Sequence, residues 1–446
     1  MRRILLIGAG RSSSSLISYF LDNAQKENWT LTIADFSVEN ALSKINGHAA
    51  GKAIQFDINS DEDCKRIIYD ADIVVSLLPA HMHLAVAKEC IQQRKNLVTA
   101  SYVSNEMKEL NTEAIDAGII LLNECGLDPG IDHMSAMKVI DEVKSNSGEL
   151  ISFKSYTGGL VAPVSNDNPW GYKFSWNPRN VILAGQGTAR FVENGKYKYI
   201  PYNRLFTDIE LVTVQGSASY DGYANRDSLS YRHFYGLENI PTMLRGTLRQ
   251  KGFCKAWNVF VKLGLTDDSF IVEGSSSMTY SNLVESFLSK NLRGSSLKER
   301  LAFFMNTSLT DEAIAMVEWT GILENKMIGL PDSSPAQILQ SLLEKKWLLQ
   351  ESDKDMIVMQ HIFDYRLHGK TIHHTSSLIV EGENSIFTAM AKTVGLPAAI
   401  ATKLILNEVI NLQGVQIPTH KSIYEPVLNE LENLGIVFLE DVITIN

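Results

Sequence analysis

The sequence predicts an α/β protein: a Rossmann-type doubly wound parallel sheet followed by a mixed α/β domain with a helical insertion. Three observations predict it. Over residues 1–125, short apolar runs rich in β-branched residues alternate with amphipathic stretches of helical length. A Gly8-Ala9-Gly10 turn joins the first such run to the first helical stretch. After Gly126 the chain changes to longer alternating strands with clusters of Gly, Pro, Asn and aromatic residues, as in GGLVAPVSNDNPWGYKFSW.

The strand runs are ILLIG, TLTIAD, AIQFD, DIVVSLL, NLVTA and IILLN. Most are largely apolar, as strands buried on both faces must be. The pieces between them, such as 13–24 and 105–116, place apolar residues on one helical face, so the six strands are joined by helical crossovers in a parallel sheet. Residues 251–350 carry helical pattern, as in SSLKERLAFFMN and SPAQILQSLLEKKWLLQ, and read as an insertion. DMIVMQHIFDYRL and KTIHHTSSLIVEG then flank His368-Gly369 as a hairpin, and the last 60 or so residues return to helix. The expected division is 1–126, 127–384 with the insertion, and 385–446.

With 446 residues, two or three domains are expected. The apolar fraction of 45% and charged fraction of 21% are those of ordinary soluble proteins. A net charge of −10 gives no electrostatic reason for nucleic acid or an anionic membrane surface as partner, so an anionic substrate needs a local basic cluster. Cys64, Cys90, Cys125 and Cys254 show no CxxC spacing, which fits a reducing cytoplasm. MRRILLIGAG has arginines ahead of an apolar run, but the run is short and lacks a cleavage site, so it reads as a first strand rather than a signal peptide. No stretch approaches the roughly 18 unbroken apolar residues of a membrane span. His81-x-His83 and His373-His374 lack companion ligands at metal spacing, so no metal site is expected.

Gly8, Ala9 and Gly10 sit where backbone N–H groups and a helix dipole meet a pyrophosphate. Ser13 takes the third fingerprint position, which loosens the match, while the strand before and the helix after supply the required context. The expected ligand is NAD or NADP. Asp35, about 25 residues beyond Gly10 at the end of the second strand, can accept both adenosine ribose hydroxyls and would repel a 2′-phosphate, which favours NAD; Arg11 lies close enough in sequence to answer a phosphate. Asp57 either reaches the adenine or caps the helix over 61–69. SLLP and TASY fall at carboxyl ends of strands, where this fold binds ligands.

NECGLDPGIDH, residues 123–133, packs two glycines, a proline and three acids into the exit of the sixth strand. Here the chain resembles the glutamate-forming saccharopine dehydrogenases, or saccharopine reductases. SYTGGLVAP, NDNPWGYKFSW, NRDS, RGTLR, KTVGLPAAIATKLIL and GVQIPTH resemble further segments of that family in the same order, over nearly the whole chain. The resemblance implies reduction, with a nicotinamide hydride, of the imine between glutamate and 2-aminoadipate 6-semialdehyde to saccharopine, a reversible step of lysine metabolism. It also implies a saccharopine-binding and dimerising second domain, and C-terminal helices that return to the first. Substrate is expected between the domains, and a homodimer is expected.

By the same resemblance, substrate would touch Ser101, Tyr102, Asp128, Arg226, Thr247, Leu248 and Arg249. Arg226 and Arg249 would clamp carboxylates and Asp128 would hold an ammonium; the plain alternative for the two arginines is a structural salt bridge or loop brace, a role that fits Arg245 better. The cofactor would touch Ala9, Gly10, Arg11, Ser12, Ala34, Asp35, Phe36, Asp57, Ile58, Leu77, Thr99, Ala100, Leu127, Asp128, Pro129 and Trp176, besides Gly8. Family members that use NADP carry an arginine where this chain has Asp35-Phe36. Asp128, His133 and an ordered water are the candidates by position for proton transfer, none ranked above the others, and a histidine placed like His133 more often caps or packs. Two other readings compete: a related imine reductase of polyamine synthesis, of the carboxynorspermidine dehydrogenase type, and a catalytically silent NAD(P)-binding sensor.

Overall fold

A computed structural model describes residues 1–445, which fall into two compact units. The first comprises Met1–Glu149, Tyr365–Thr371 and Leu378–Leu439. The second comprises Leu150–Asp364, Ile372–Ser377 and the residues from Glu440 on.

In the first unit all six expected strands form: β1 (Arg2–Ile7), β2 (Trp29–Asp35), β3 (Gly51–Gln55), β4 (Ile73–Ser76), β5 (Asn96–Thr99) and β6 (Ile120–Leu122). Their order is β6-β5-β4-β1-β2-β3 and every pairing is parallel. A seventh strand, Gly414–Gln416 from the GVQIPTH segment, adds in parallel beyond β6. The expectation of a purely helical C-terminus is corrected here, because three residues bounded by a glycine carry no readable period. Register aligns the carboxyl ends: Ile7 pairs with Ala34 and Ser76, and Ser76 pairs with Thr99. That edge is where the loops of the site converge.

Two helices from late in the chain complete this unit. Ala389–Leu406 packs on Ser14–Asp22, and Gly395 permits it, since a Cβ there would lie 3.0 Å from the Leu16 nitrogen. The helix is long and apolar enough to cross a membrane by length and composition alone, with a mean hydropathy of 1.4, yet 72% of it is buried. Lys421–Asn433 packs on Ile131–Ser145, the helix that follows NECGLDPG, and the Tyr424 hydroxyl donates to Asp141 Oδ2 at 2.6 Å.

The second unit is built on a nine-stranded mixed sheet. Its strands are β7 (Glu149–Val161), β8 (Ala189–Glu193), β9 (Lys196–Ile200), β10 (Ile209–Thr213), β11 (Ser219–Ala224), β12 (Thr242–Arg249), β13 (Asp355–Leu367), β14 (Lys370–Glu381) and Phe438–Ile445. The path runs β10-β11-β12-β7-β13-β14-(Phe438–Ile445), with β8 on β12 and β9 on β8. Phe438–Ile445 is a second departure from the helical C-terminus. His368 and Gly369, at φ 49° and 78°, form the two-residue turn between β13 and β14 that the sequence predicts. The helices Phe253–Leu263, Tyr280–Phe287, Leu297–Phe304, Glu312–Trp319 and Pro335–Lys346 occupy the predicted insertion. Trp170 of the NDNPWGYKFSW segment stacks on Phe260 at 5.7 Å and meets Trp257 and Trp347 edge-on. Lys173 is buried between Asp167 at 2.9 Å and Asp353 at 2.7 Å, so its charge is paired.

Candidate active site

The first unit gathers most of the predicted residues along the carboxyl edge of its sheet. Gly8 has φ 98°, and a Cβ there would lie 3.1 Å from the Leu77 carbonyl carbon and oxygen, so the first strand can pass the SLLP turn only as glycine. Around Gly10 a Cβ would meet nothing within 4 Å, which leaves a bare stretch of backbone at the start of the helical segment. Asp35 Oδ2 accepts the Ala9 N–H at 2.6 Å and Oδ1 accepts the Ser37 N–H at 2.9 Å. Ala34 is buried beneath them, and the Phe36 ring is 77% exposed beside them. Ser13, the odd member of the fingerprint, donates to the Gly10 carbonyl at 2.8 Å and accepts from Lys44 Nζ at 2.8 Å. A hydroxyl thus replaces the third glycine with its hydrogen bonds satisfied. Arg11 is exposed and Ser12 half-buried at the same turn.

Asp57 makes a local turn, with Oδ1 accepting from the Asn59 N–H at 3.0 Å, and Ile58 packs against the core of this unit. The cap of Asp61–Tyr69 is Ser60, not Asp57, which removes that alternative for the aspartate.

At the ends of β4 and β5 a histidine that the sequence reading weighed only as a metal ligand ties the site together. His83 is buried. Its Nδ1 lies 2.9 Å from Ser76 Oγ, and its Nε2 lies 2.7 Å from Ser101 Oγ and 3.3 Å from Thr99 Oγ1. Burial, helped by His81, pulls its pKa down to about 4, so the ring is neutral at physiological pH. Ser101, a predicted substrate contact, is thereby held in place. The signal was a histidine one turn after SLLP, but no local pattern says which hydroxyls it will find.

NECGLDPGIDH folds into a tight crossing. A Cβ on Gly126 would lie 2.9 Å from Ala100 Cβ, and one on Gly130 only 2.0 Å from the Gly126 oxygen, so both glycines are obligatory. The Asp128-Pro129 peptide is cis. Leu127 is buried, Asp128 is half-buried, and the Tyr102 hydroxyl donates to Asp128 Oδ1 at 3.1 Å. His133 is fully buried, with Nε2 2.8 Å from Glu124 Oε2, while Glu124 Oε1 accepts the Val103 N–H at 3.0 Å. Asp132 Oδ1 accepts the Gly130 N–H at 2.6 Å. His133 is therefore enclosed within the turn, whereas Asp128 reaches its edge.

In the second unit Arg249 ends β12 and is buried, its guanidinium carbon 5.3 Å from the ring centre of Tyr172 and 5.5 Å from that of Phe253. It donates to the Leu248 carbonyl at 3.0 Å, its Nε has no hydrogen-bond partner, and no acid pairs with it among the described residues. Trp176 is half-buried and donates to the Tyr172 hydroxyl at 3.3 Å. Thr247 is cross-strand partner to Thr157, whose buried Oγ1 also lacks a partner, and on the other face Gly158 lets β7 close on Leu248. Thr157, in the SYTGGLVAP segment, was not singled out from sequence. Arg249 Nε and Thr157 Oγ1, both buried without a partner, therefore lie on adjacent strands two residues apart in register.

Arg226 follows β11, is exposed, and has φ 45°. Asp221 pairs with Arg249, and the ladder continues to the Asn225 N–H on the Arg245 carbonyl. Arg226 thus stands about five rungs from Arg249, roughly 16 Å along the sheet. The two do not form one fork. Arg245 is buried, its guanidinium carbon 4.4 Å from the centre of the Tyr231 ring.

Two family models match in chain order. The one described as the saccharopine dehydrogenase NADP binding domain covers residues 4–122, and the one described as the saccharopine dehydrogenase C-terminal domain covers residues 126–436. The chain belongs to the saccharopine dehydrogenase family. Among curated family members, saccharopine dehydrogenase [NADP(+), L-glutamate-forming] of Schizosaccharomyces pombe is 33% identical over 99% of both chains. The mitochondrial alpha-aminoadipic semialdehyde synthase of Rattus norvegicus is 34% identical over 98% of this chain, which spans 47% of that larger protein. The apo saccharopine dehydrogenase (L-Glu forming) structure from Saccharomyces cerevisiae superposes with a TM-score of 0.88 at 32% identity, covering 99% of this chain and 100% of that one. A homospermidine synthase from Legionella pneumophila, solved with NAD, shares the fold at a TM-score of 0.58 and 9% identity, covering 99% of this chain and 91% of that one.

This family membership implies a dinucleotide, and the glycine loop fits one: bare backbone at Gly10, a strand that must be glycine at Gly8, and a carboxylate at the end of β2. Ala9, Gly10 and Asp35 would hold it.

Proposed function

We propose that the chain is an NAD(P)-dependent, L-glutamate-forming saccharopine dehydrogenase. The secondary amine of saccharopine is oxidised to an imine, which water cleaves to glutamate and 2-aminoadipate 6-semialdehyde, and the reverse direction builds saccharopine. NAD(P), when bound, takes or supplies the hydride. The observation that carries the reading is Arg249, a buried guanidinium caged by Tyr172 and Phe253 with no acid of its own. A substrate carboxylate would complete it with a charge-assisted, forked pair. Arg226, about five rungs away, suits a second carboxylate at the far end of an extended tricarboxylate, and Thr247 and Thr157 lie on the strands between. A polyamine precursor would offer fewer carboxylates to this face.

In the first unit Asp128 serves a substrate ammonium and the proton of imine formation and breakdown, supported by its half-buried position and its bond from Tyr102. His133 holds the turn from inside, and His83 fixes Ser101.

The partner state we favour is a homodimer. Phe438–Ile445 is an edge strand with Leu439, Val442, Ile443 and Ile445 each about half exposed, an edge that a second copy would cover. The compartment is cytoplasmic in this reading, which four buried free thiols suit.

Saccharopine kinetics with Arg226→Ala test the clamp. The KM for saccharopine is expected to rise at least tenfold with nicotinamide cofactor binding intact; unchanged saccharopine kinetics would remove Arg226 from the site.

A further inference from the structure

The corner that receives the adenosine ribose disagrees with a 2′-phosphate. We propose that this chain selects NAD(H) over NADP(H), and that Asp35 is the residue that decides it. The inference rests on the dinucleotide reading of the first unit and names which dinucleotide.

An ionised carboxylate accepts at about four lone-pair sites. Asp35 spends one on the Ala9 N–H at 2.6 Å and one on the Ser37 N–H at 2.9 Å. One open site per oxygen remains, which matches the two hydroxyl donors of an unphosphorylated ribose. A 2′-phosphate brings only acceptors and up to two negative charges. It needs N–H donors and a cation, and apart from the exposed Arg11 the donors around Asp35 are engaged within the protein. Asp35 holds Ala9 and Ser37, Asn40 Nδ2 donates to the Ala9 carbonyl at 2.8 Å, and Lys44 Nζ is turned onto the Gly10 carbonyl and Ser13 Oγ. To admit the phosphate, the carboxylate would have to leave two backbone donors, or stay and face it across a few ångströms with like charge. Both routes oppose NADP.

Lys44 has a part in this selectivity. Third-position glycines let helix and strand approach; Ser13 instead bridges Gly10 and Lys44, so the one lysine near the corner is built into the loop rather than offered to a ligand. Phe36, 77% exposed directly after Asp35, supplies an apolar face at the same corner, suited to an adenine ring and not to a phosphate.

The test is a nicotinamide-fluorescence titration of NADH and NADPH against the full chain, without saccharopine, for the unmodified protein, Asp35→Asn and Asp35→Ala. The expected result is an NADH dissociation constant at least tenfold below that of NADPH. D35N is nearly isosteric, keeps an acceptor for one backbone N–H and removes the charge; it should narrow the ratio, and D35A should bring it to about one or invert it. Circular dichroism checks that both variants fold. NADPH binding as tight as NADH to the unmodified chain, or a ratio that neither substitution moves, would overturn the proposal. Failure of both nucleotides to bind would overturn it together with the dinucleotide reading, whereas selective NADH binding with no saccharopine turnover would sustain it and sink only the substrate assignment.

Discussion

Arg249 and Tyr172 form a cation–ring pair, with the guanidinium carbon 5.3 Å from the ring centre, in a place where a buried arginine would ordinarily meet an acid. Burial without a partner acid is costly, so this residue lowers stability unless something anionic joins it. Arg249→Met should therefore leave the unfolding midpoint equal or higher while raising the KM for saccharopine about a hundredfold, the size expected when one half of a buried ion pair is removed. Arg249→Lys should not restore the KM, because an ammonium lacks the planar fork. Loss of stability in Arg249→Met without loss of substrate affinity would mean that the residue serves only the fold.

His83 gives a pH dependence with a definite sign. Its folded pKa is pulled down to about 4 from an ordinary 6.5. Between those values the unfolded chain holds a proton that the folded chain does not, so stability is fully present above about 6.5 and is lost as pH falls toward 4. The whole shift corresponds to about 3 kcal/mol. Urea unfolding at pH 7.0 and pH 5.0 should show this loss, and His83→Gln should flatten the dependence in that window; an unchanged slope would assign the acid sensitivity elsewhere.

Glu124 bears on two groups at once, the His133 ring and the Val103 N–H. Glu124→Ala removes the carboxylate that meets His133 Nε2 and the acceptor of the Val103 N–H, at a cost of about 3 kcal/mol. Chemical denaturation measures it directly. A midpoint within error of the unmodified protein would show that the pair does not brace the NECGLDPGIDH turn.

The two kinds of glycine separate folding from binding. Gly130→Ala would place a Cβ 2.0 Å from the Gly126 oxygen, so soluble folded protein should not be recovered. Gly10, at φ −66° with nothing within 4 Å, tolerates a methyl group in the fold. Gly10→Ala should melt within a few degrees of the unmodified protein but bind NADH at least tenfold more weakly, because the methyl group occupies the backbone's approach to the pyrophosphate. Undiminished NADH binding would move the pyrophosphate away from this loop.

The Rossmann unit was legible because six apolar runs with crossovers of helical length leave few topologies. Gly414–Gln416 was not, since its strand identity comes from the edge of β6 and not from its own three residues. Long-range placement also hid the site's second layer. His83 meets Ser76 and Ser101 only because β4 and β5 end in register. Thr157 lies opposite Thr247 only because β7 and β12, some 90 residues apart, run parallel. Asp35 showed its charge in the sequence, whereas its two backbone donors required the fold.

The most direct measurement mixes purified protein with saccharopine and either NAD or NADP, follows the reduced-nicotinamide absorbance, and identifies glutamate among the products. The account predicts turnover that releases glutamate, faster with NAD at subsaturating cofactor. Cofactor binding without any turnover of saccharopine would contradict it and favour a polyamine-type imine substrate or a silent nucleotide sensor.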